Sequence, residues 1–462
     1  MTAFFASPLD ENPKNKSNDT KAKNNANKQN PQKQALILRP PSSFAFTFTV
    51  PPFLNTHPNT LPSQQTNTGK RYKPVDRKVR PVPATFPEDA RVDRHFPEDP
   101  LLTLPPLSTH PPDFQPTTTL TAGRLEYLRI NSDGFLWPEE ENLVIMAFTN
   151  NRKVLAFNES ERGTLHPDYF SDYIIPVVAH EPWADHKIPI PQGIREKVTE
   201  TIRNKVNNGV YEPSQGSYRS SWFCVPKKNG ELRPVINLQK LNGITIKDSG
   251  LPPIIDTILE PFAASSIYTK LDLLSGYDAR ILHPNSRDLT AFHTPLGLLR
   301  LTRLPQGFTN SVAEFQNCIT FILQDEIPHN VGVMIDDIGI KGPPTRYEDE
   351  QGNYETIPEN PGIRRFVWEH ANTLNRVLHR LAHAGATVSP EKCDVARPQI
   401  SFVGQTLTYD GRLPNMSCIS KILNWPTPTT VTEVRGFLGL CGTVRIWIKG
   451  YTHIARPLTE LT

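Results

Sequence analysis

The stretch VGVMIDDIGIK, residues 331–341, sets two apolar runs on either side of Asp336 and Asp337. Apolar runs separated by two residues have the spacing of a tight β-hairpin. Such a turn usually takes Asn-Gly or Asp-Gly, because both central residues tend to need positive φ. An Asp-Asp turn breaks that preference. It also sets two carboxylates side by side, which at about 4 Å and an effective dielectric of about 20 repel by about 4 kcal/mol. A local rule broken inside an otherwise consistent segment is where function is expected. Taken alone, the pair reads equally well as a solvated turn, since Asp is common in turns.

Working outward, IYTKLDLLSGY (residues 267–277) gives a second acidic signal. Asp272 ends a strand-like run and is followed by a Ser-Gly turn and an aromatic residue. A charge at the end of a buried strand needs a partner or a metal, although an Asp there can also cap a following helix. Asp272, Asp336 and Asp337, at two strand tips, could hold two Mg²⁺ ions. Mg²⁺ prefers oxygen ligands and keeps waters and substrate phosphates in its shell. Two such ions can stabilise the attacking and leaving oxygens of an in-line phosphoryl displacement.

The flanking chain alternates short strands, hairpins and helices, which indicates an α+β fold rather than a doubly wound parallel sheet. A helix starts at Pro138 and is expected near 138–161, with Glu139, Glu140 and Glu141 on the positive end of its dipole. Ile194, Val198, Ile202 and Val206 recur every fourth residue in a second helix near 192–208, which Gly209 stops. SSWFCVPKKNGELRPVINL (220–238) reads as a hairpin turning at Asn229-Gly230. SIYTKLDL is a buried strand and EFQNCITFIL a helix. In a long amphipathic helix ending at Gly385, Phe366, His370, Leu374, Val377, Leu378 and Leu381 share one face. QISFVGQTLTYDG (399–411) is a last hairpin, and the tail from about 415 is helical.

Bulk properties bound the rest. The 462 residues suffice for two or three domains, and the 46 prolines are about twice ordinary usage. Residues 1–80 hold 13 Lys and Arg against 4 Asp and Glu, leaving 37 against 43 for the remainder, so overall charge does not argue for nucleic acid. This Asn-, Lys- and Pro-rich tract has too few aliphatics to offset its ordering entropy and is expected to be disordered. Residues 81–190 read as a proline-rich arm, 191–410 as the catalytic body and 411–462 as an appended helical part. Five scattered cysteines form no metal or disulfide framework and fit a reducing compartment. With no signal peptide and no membrane-length apolar run, the chain reads as soluble and intracellular.

Taken in order, KLDLLSGY, LPQGFTNSVAEFQ and MIDDIGIKG resemble the palm motifs of reverse transcriptases, above all those of gypsy-type LTR retrotransposons of fungi. The likeness runs from about Tyr211 to the C-terminus. It implies a polymerase right-hand fold, with fingers, a ferredoxin-like palm and a partial thumb or connection. It also implies RNA-directed DNA synthesis by two-metal phosphoryl transfer on an RNA or DNA template-primer, with deoxynucleoside triphosphates and Mg²⁺ or, in its place, Mn²⁺. Asp272 and Asp336 would ligate the metals, with Asp337 beside them. Tyr277 would be the steric gate against a ribose 2′-hydroxyl, and Gln306 and Gly307 would line the nucleotide pocket. Lys227 and Arg233 would grip the triphosphate. Lys392 would act as general acid on pyrophosphate, and Phe402, Val403 and Gly404 would form the primer grip. The tail resembles the segment that leads to RNase H, so the chain is expected to stop short of that domain.

There are departures. Asn237 and Gln239 stand where the family commonly has Asp and Arg, and Asp278-Ala279 replaces His-Gln. Neither touches the metal ligands. Two rival readings are a catalytically inactive nucleic-acid-binding relic and an RNA-dependent RNA polymerase, the latter disfavoured by Tyr277. Asp248-Ser249-Gly250 matches the aspartic-protease triplet but lacks its flanking apolar strand, and reads as a connecting turn. His180 and His186 read as surface residues.

Overall fold

The computed structural model describes residues 82, 84–227 and 230–462, which belong to one compact unit. The tract expected to be disordered lies outside the described residues, as does Asn229 of the expected 229–230 turn.

At the centre is a four-stranded antiparallel sheet in the order Asp394–Arg397, Tyr268–Asp272, Asp337–Lys341, Val331–Met334. Alternation decides what each face carries. Ile267, Leu271, Ile338, Ile340, Val331 and Val333 point into the main core, which includes Phe366, Leu374, Val377, Leu378 and Leu381 of the helix Arg365–His383. The opposite face bears Tyr268, Lys270 and Asp272 on one strand against Lys341, Gly339 and Asp337 on the next. Gly332 and Gly339 are cross-strand partners. A Cβ at Gly339 would run into the Phe402 and Phe262 rings, and one at Gly332 into Ile258 and Phe262. The glycine pair thus opens a floor on which a second apolar layer of Phe262, Phe402, Ile400 and Leu407 sits.

The part expected to form the fingers contains the hairpin Trp222–Pro226 with Leu232–Ile236, the helix Arg195–Asn207, and a sheet of Tyr211–Pro213, Gly297–Leu301 and Phe292–Thr294. Val198 and Ile202 bury the helix against Tyr211, Trp222 and Phe292, and Gly209 ends it at positive φ. The last hairpin gains a third strand. Tyr409-Asp410 turns the chain into Gly411–Pro414, which pairs with Gln405–Thr408. Helices Met416–Leu423, Val431–Gly442 and Tyr451–Glu460 follow.

One expectation needs correction. The helix that starts at Pro138 ends at Asn150, well short of 161. Asn151 is buried, and its amide donates to the Ala147 carbonyl at 2.9 Å and to Asn375 Oδ1 on the long helix at 2.8 Å. The side chain satisfies a last-turn carbonyl and docks the helix end, so propagation stops there.

The arm before residue 190 is woven into this body. Leu107, Leu120 and Leu128 are buried, and residues 154–156 pair along Val388. The Asp248 triplet is a turn, closed by Gly250 N–H donating to Asp248 Oδ1. His180 is held between Val178 O and the Tyr218 hydroxyl, while His186 is exposed. Among the described residues, no helix is long and apolar enough to cross a membrane.

Candidate active site

Strand register brings the acidic residues together. Asp272 and Asp337 are direct partners on adjacent strands, and Asp336 precedes Asp337 at the hairpin tip. The tip differs from the sequence reading by one residue. Met334 pairs with Asp337, so the two turn residues are Ile335 and Asp336. Ile335 has φ 62°, a costly conformation for a β-branched residue. Gln316, buried on the helix Ser311–Ile322, holds it. Its Oε1 accepts from Ile335 N–H at 2.8 Å, and its Nε2 donates to Val333 O at 3.2 Å and Thr320 Oγ1 at 3.1 Å. Sequence reasoning passed over Gln316, although it lay inside a quoted motif. The available signal was an amide on an apolar helix face, which must find partners when buried.

The electrostatics of the tip favour a cation. Burial, and next the charge of Asp272, push the Asp336 carboxyl above its ordinary range. Burial with the charges of Asp336 and Asp272 does the same to Asp337. The Lys392 ammonium donates to Asp272 Oδ1 at 2.8 Å. Burial works against its charge, but the bond to Asp272 and the three carboxylates hold it above lysine's usual value. Among the described residues, no group of three Asp, Glu, His or Cys side chains is arranged to hold a metal ion by itself. The donor set suits a hard ion that takes only a few carboxylate oxygens and completes its shell with water and phosphate.

Tyr277 stands beside this cluster, with its ring 5.4 Å from that of Phe315 and its hydroxyl held above its ordinary pKa by burial and by Asp336. Gly276 is required there, since a Cβ would strike the Phe315 ring. Gln306 and Gly307 are exposed on a loop braced by Asn242, whose amide donates to Gly307 O and accepts from Thr309 N–H. Asn237, one of the departures, accepts through its side chain from Gln239 N–H, two residues on. Lys227 and Arg233 lie on the fingers hairpin, both exposed, and Lys227 pairs with Glu231 at 3.0 Å. Val403 and Gly404, at φ 46° and 79°, form the two-residue turn of the hairpin that resembles a primer grip. Phe402 is not on that tip: its ring is fully buried against Phe262.

With this geometry in place, comparison with known proteins is informative. Residues 225–407 match the family model for reverse transcriptase (RNA-dependent DNA polymerase). The chain carries a reverse-transcriptase domain. The matched span contains the palm sheet, all three carboxylates and the fingers hairpin from Val225. Relatives include the retrovirus-related Pol polyprotein from transposon 297 of Drosophila melanogaster, 28% identical over 327 residues, covering 70% of this chain and 29% of that protein. The corresponding polyprotein from transposon opus of the same species is 34% identical over 281 residues, covering 59% and 26%. The Transposon Tf2-3 polyprotein of Schizosaccharomyces pombe is 27% identical over 274 residues, covering 59% and 19%. The chain therefore spans less than a third of the length of these curated relatives. Among solved structures, the foamy viral protease-reverse transcriptase in complex with dsDNA is similar at TM-score 0.63 and 23% identity, over 75% of this chain and 67% of that one. Its complex with an RNA/DNA hybrid is similar at TM-score 0.59 and 21% identity, over 76% and 44%. The fold of the reverse-transcriptase domain is thus the polymerase right hand.

Proposed function

We propose that this reverse-transcriptase domain extends a primer 3′-hydroxyl on an RNA or DNA template with deoxynucleoside triphosphates. The observation that carries the reading is the pairing of Asp272 with Asp337 across adjacent strands, with Asp336 at the tip, in a site whose raised carboxyls and attached ammonium call for a cation. Asp272 and Asp336 would hold two Mg²⁺ ions, with Mn²⁺ as a substitute, and Asp337 would support them. When bound, the ions would lower the charge barrier of an in-line phosphoryl displacement. Lys392, hydrogen-bonded to Asp272, would give a proton to departing pyrophosphate. Lys227 and Arg233 would meet the triphosphate, Gln306 and Gly307 the base and sugar, and the Val403-Gly404 turn the primer backbone.

The discriminating experiment is extension of a primed RNA template with deoxy- against ribonucleotides. Deoxynucleotide incorporation should dominate. In Tyr277→Val the preference should fall by roughly tenfold or more, as expected when a packed side chain that excludes an extra hydroxyl is trimmed. Tight binding that weakens steeply with salt, without extension, would instead mark a protein that only binds nucleic acid.

A second expectation concerns Gln316. Replacing it with leucine leaves Ile335 N–H without its acceptor, so the strained turn should relax and carry Asp336 with it. Single-turnover extension should slow by about 10- to 100-fold, while unfolding free energy should drop by only about 1–3 kcal/mol. An unchanged rate would remove Gln316 from the positioning of the tip.

A further inference from the structure

The sugar gate is held from outside the matched domain. Ser275 opens the turn that carries Tyr277 and adopts φ 49°, a left-handed conformation that a non-glycine residue keeps only when its surroundings impose it. Its hydroxyl donates to Glu159 Oε1 at 2.6 Å, across 116 residues of chain. The other oxygen of Glu159 faces Arg162 at 3.3 Å and Lys205 at 3.5 Å, and Lys205 reaches on to Asp278 at 2.8 Å. The two ends of the gate turn, Ser275 and Asp278, are therefore joined through a carboxylate of the arm and a lysine of the fingers helix. Backbone bonds reinforce the join: Leu165 N–H donates to Ala279 O at 2.9 Å, and Leu274 N–H to Thr387 O, whose own side chain accepts from Gly163 N–H. Burial opposes the charge on Glu159, yet Lys205, Ser275 and Arg162 together hold its carboxyl below the ordinary range, so it stays ionised in place.

From this geometry we infer that Glu159 is a positioning residue for the nucleotide gate: through Ser275 it fixes the turn that carries Tyr277, and so contributes to the choice of deoxy- over ribonucleotide. This rests on the polymerase reading above. The arm upstream of residue 190 then forms part of the substrate-selecting apparatus, as well as of the scaffold.

The test uses the full chain in five forms: wild type, Glu159→Ala, Glu159→Gln, Glu159→Ala with Ser275→Ala, and Asn151→Ala. The last unties the arm from Asn375 of the long helix without touching the gate turn, and controls for simple destabilisation. Two readouts are taken. The first is the ratio of ribo- to deoxynucleotide incorporation, with KM and kcat for each. The second is hydrogen–deuterium exchange of the peptide spanning 273–279, which needs no turnover. Glu159→Ala should raise the ribonucleotide ratio roughly tenfold, mainly through KM, and speed exchange of 273–279. Glu159→Gln, which keeps an acceptor for Ser275, should restore most of both effects. Ser275→Ala combined with Glu159→Ala should add nothing beyond the single change, as expected for one shared interaction. Asn151→Ala should lower Tm and leave both readouts unmoved. A Glu159→Ala variant that loses Tm but keeps wild-type selectivity and exchange would overturn the proposal. Wild-type chain that extends no primer would overturn the polymerase reading, while the exchange of 273–279 would still decide whether Glu159 holds the turn.

Discussion

Asp336→Asn should lower primer extension by roughly 10³-fold or more while leaving the fold intact. The amide keeps the shape of the carboxylate and removes its charge. Losing several kcal/mol of charge stabilisation at the reacting phosphoryl costs a factor of ten for about every 1.4 kcal/mol. Stability should move the other way, if it moves at all. Burial and the charge of Asp272 hold the Asp336 carboxyl above its usual range, so its ionised form is disfavoured in the folded chain. A carboxyl with a folded pKa above its unfolded one costs stability as pH rises through that interval, and a neutral amide has no such cost. Without divalent cation, the variant should therefore unfold at the same temperature as wild type or higher. A variant that unfolds early would show that lost activity came from lost structure, and would not support a metal role.

The largest expected effect on stability lies far from the chemistry, at Glu140 and Arg364. Both are buried, with side chains 0% and 4% exposed. Arg364 N–H and Nε donate to Glu140 Oε1 at 2.8 Å, a guanidinium nitrogen reaches Glu140 Oε2 at 2.5 Å, and another bond goes to Phe135 O. Four rings, of Phe135, Trp137, Tyr354 and Phe366, surround the guanidinium at 4.9–5.3 Å. Glu140 also accepts from Trp137 N–H and so caps the helix Pro138–Asn150. Glu140→Ala leaves the charge buried and unpaired, and should cost about 3–5 kcal/mol in denaturant unfolding. The double change Glu140→Leu with Arg364→Met should cost much less, because no lone charge remains. A single variant within about 1 kcal/mol of wild type would contradict this account of how the arm is anchored.

The two anchored sites show what a sequence discloses and what it hides. Short apolar runs made the palm strands readable, and the acidic tips followed from the order of three motifs. The turn was placed one residue late because its geometry is imposed by Gln316, from another element, against the preference of Ile335. The helix after Pro138 was read too long for a similar reason: Asn151 ends it by bonding Asn375, 224 residues away. Phe402 belongs to the stretch that resembles a primer grip, and alternation along its strand sends its ring into the layer opened by Gly332 and Gly339. The part played by the arm was the least legible. Proline-rich spacing suggested a segment lying on something else, but no local pattern marks Glu159 as the partner of Ser275, since only the folded chain brings them together.

The most direct measurement of the central claim is single-turnover extension of a primed RNA template against Mg²⁺ concentration, with wild type beside Asp336→Asn. The account predicts no extension without divalent cation, extension that rises with Mg²⁺ and is partly restored by Mn²⁺, and no measurable extension by the variant under either ion. Extension that needs no divalent cation, or that survives Asp336→Asn, would contradict it.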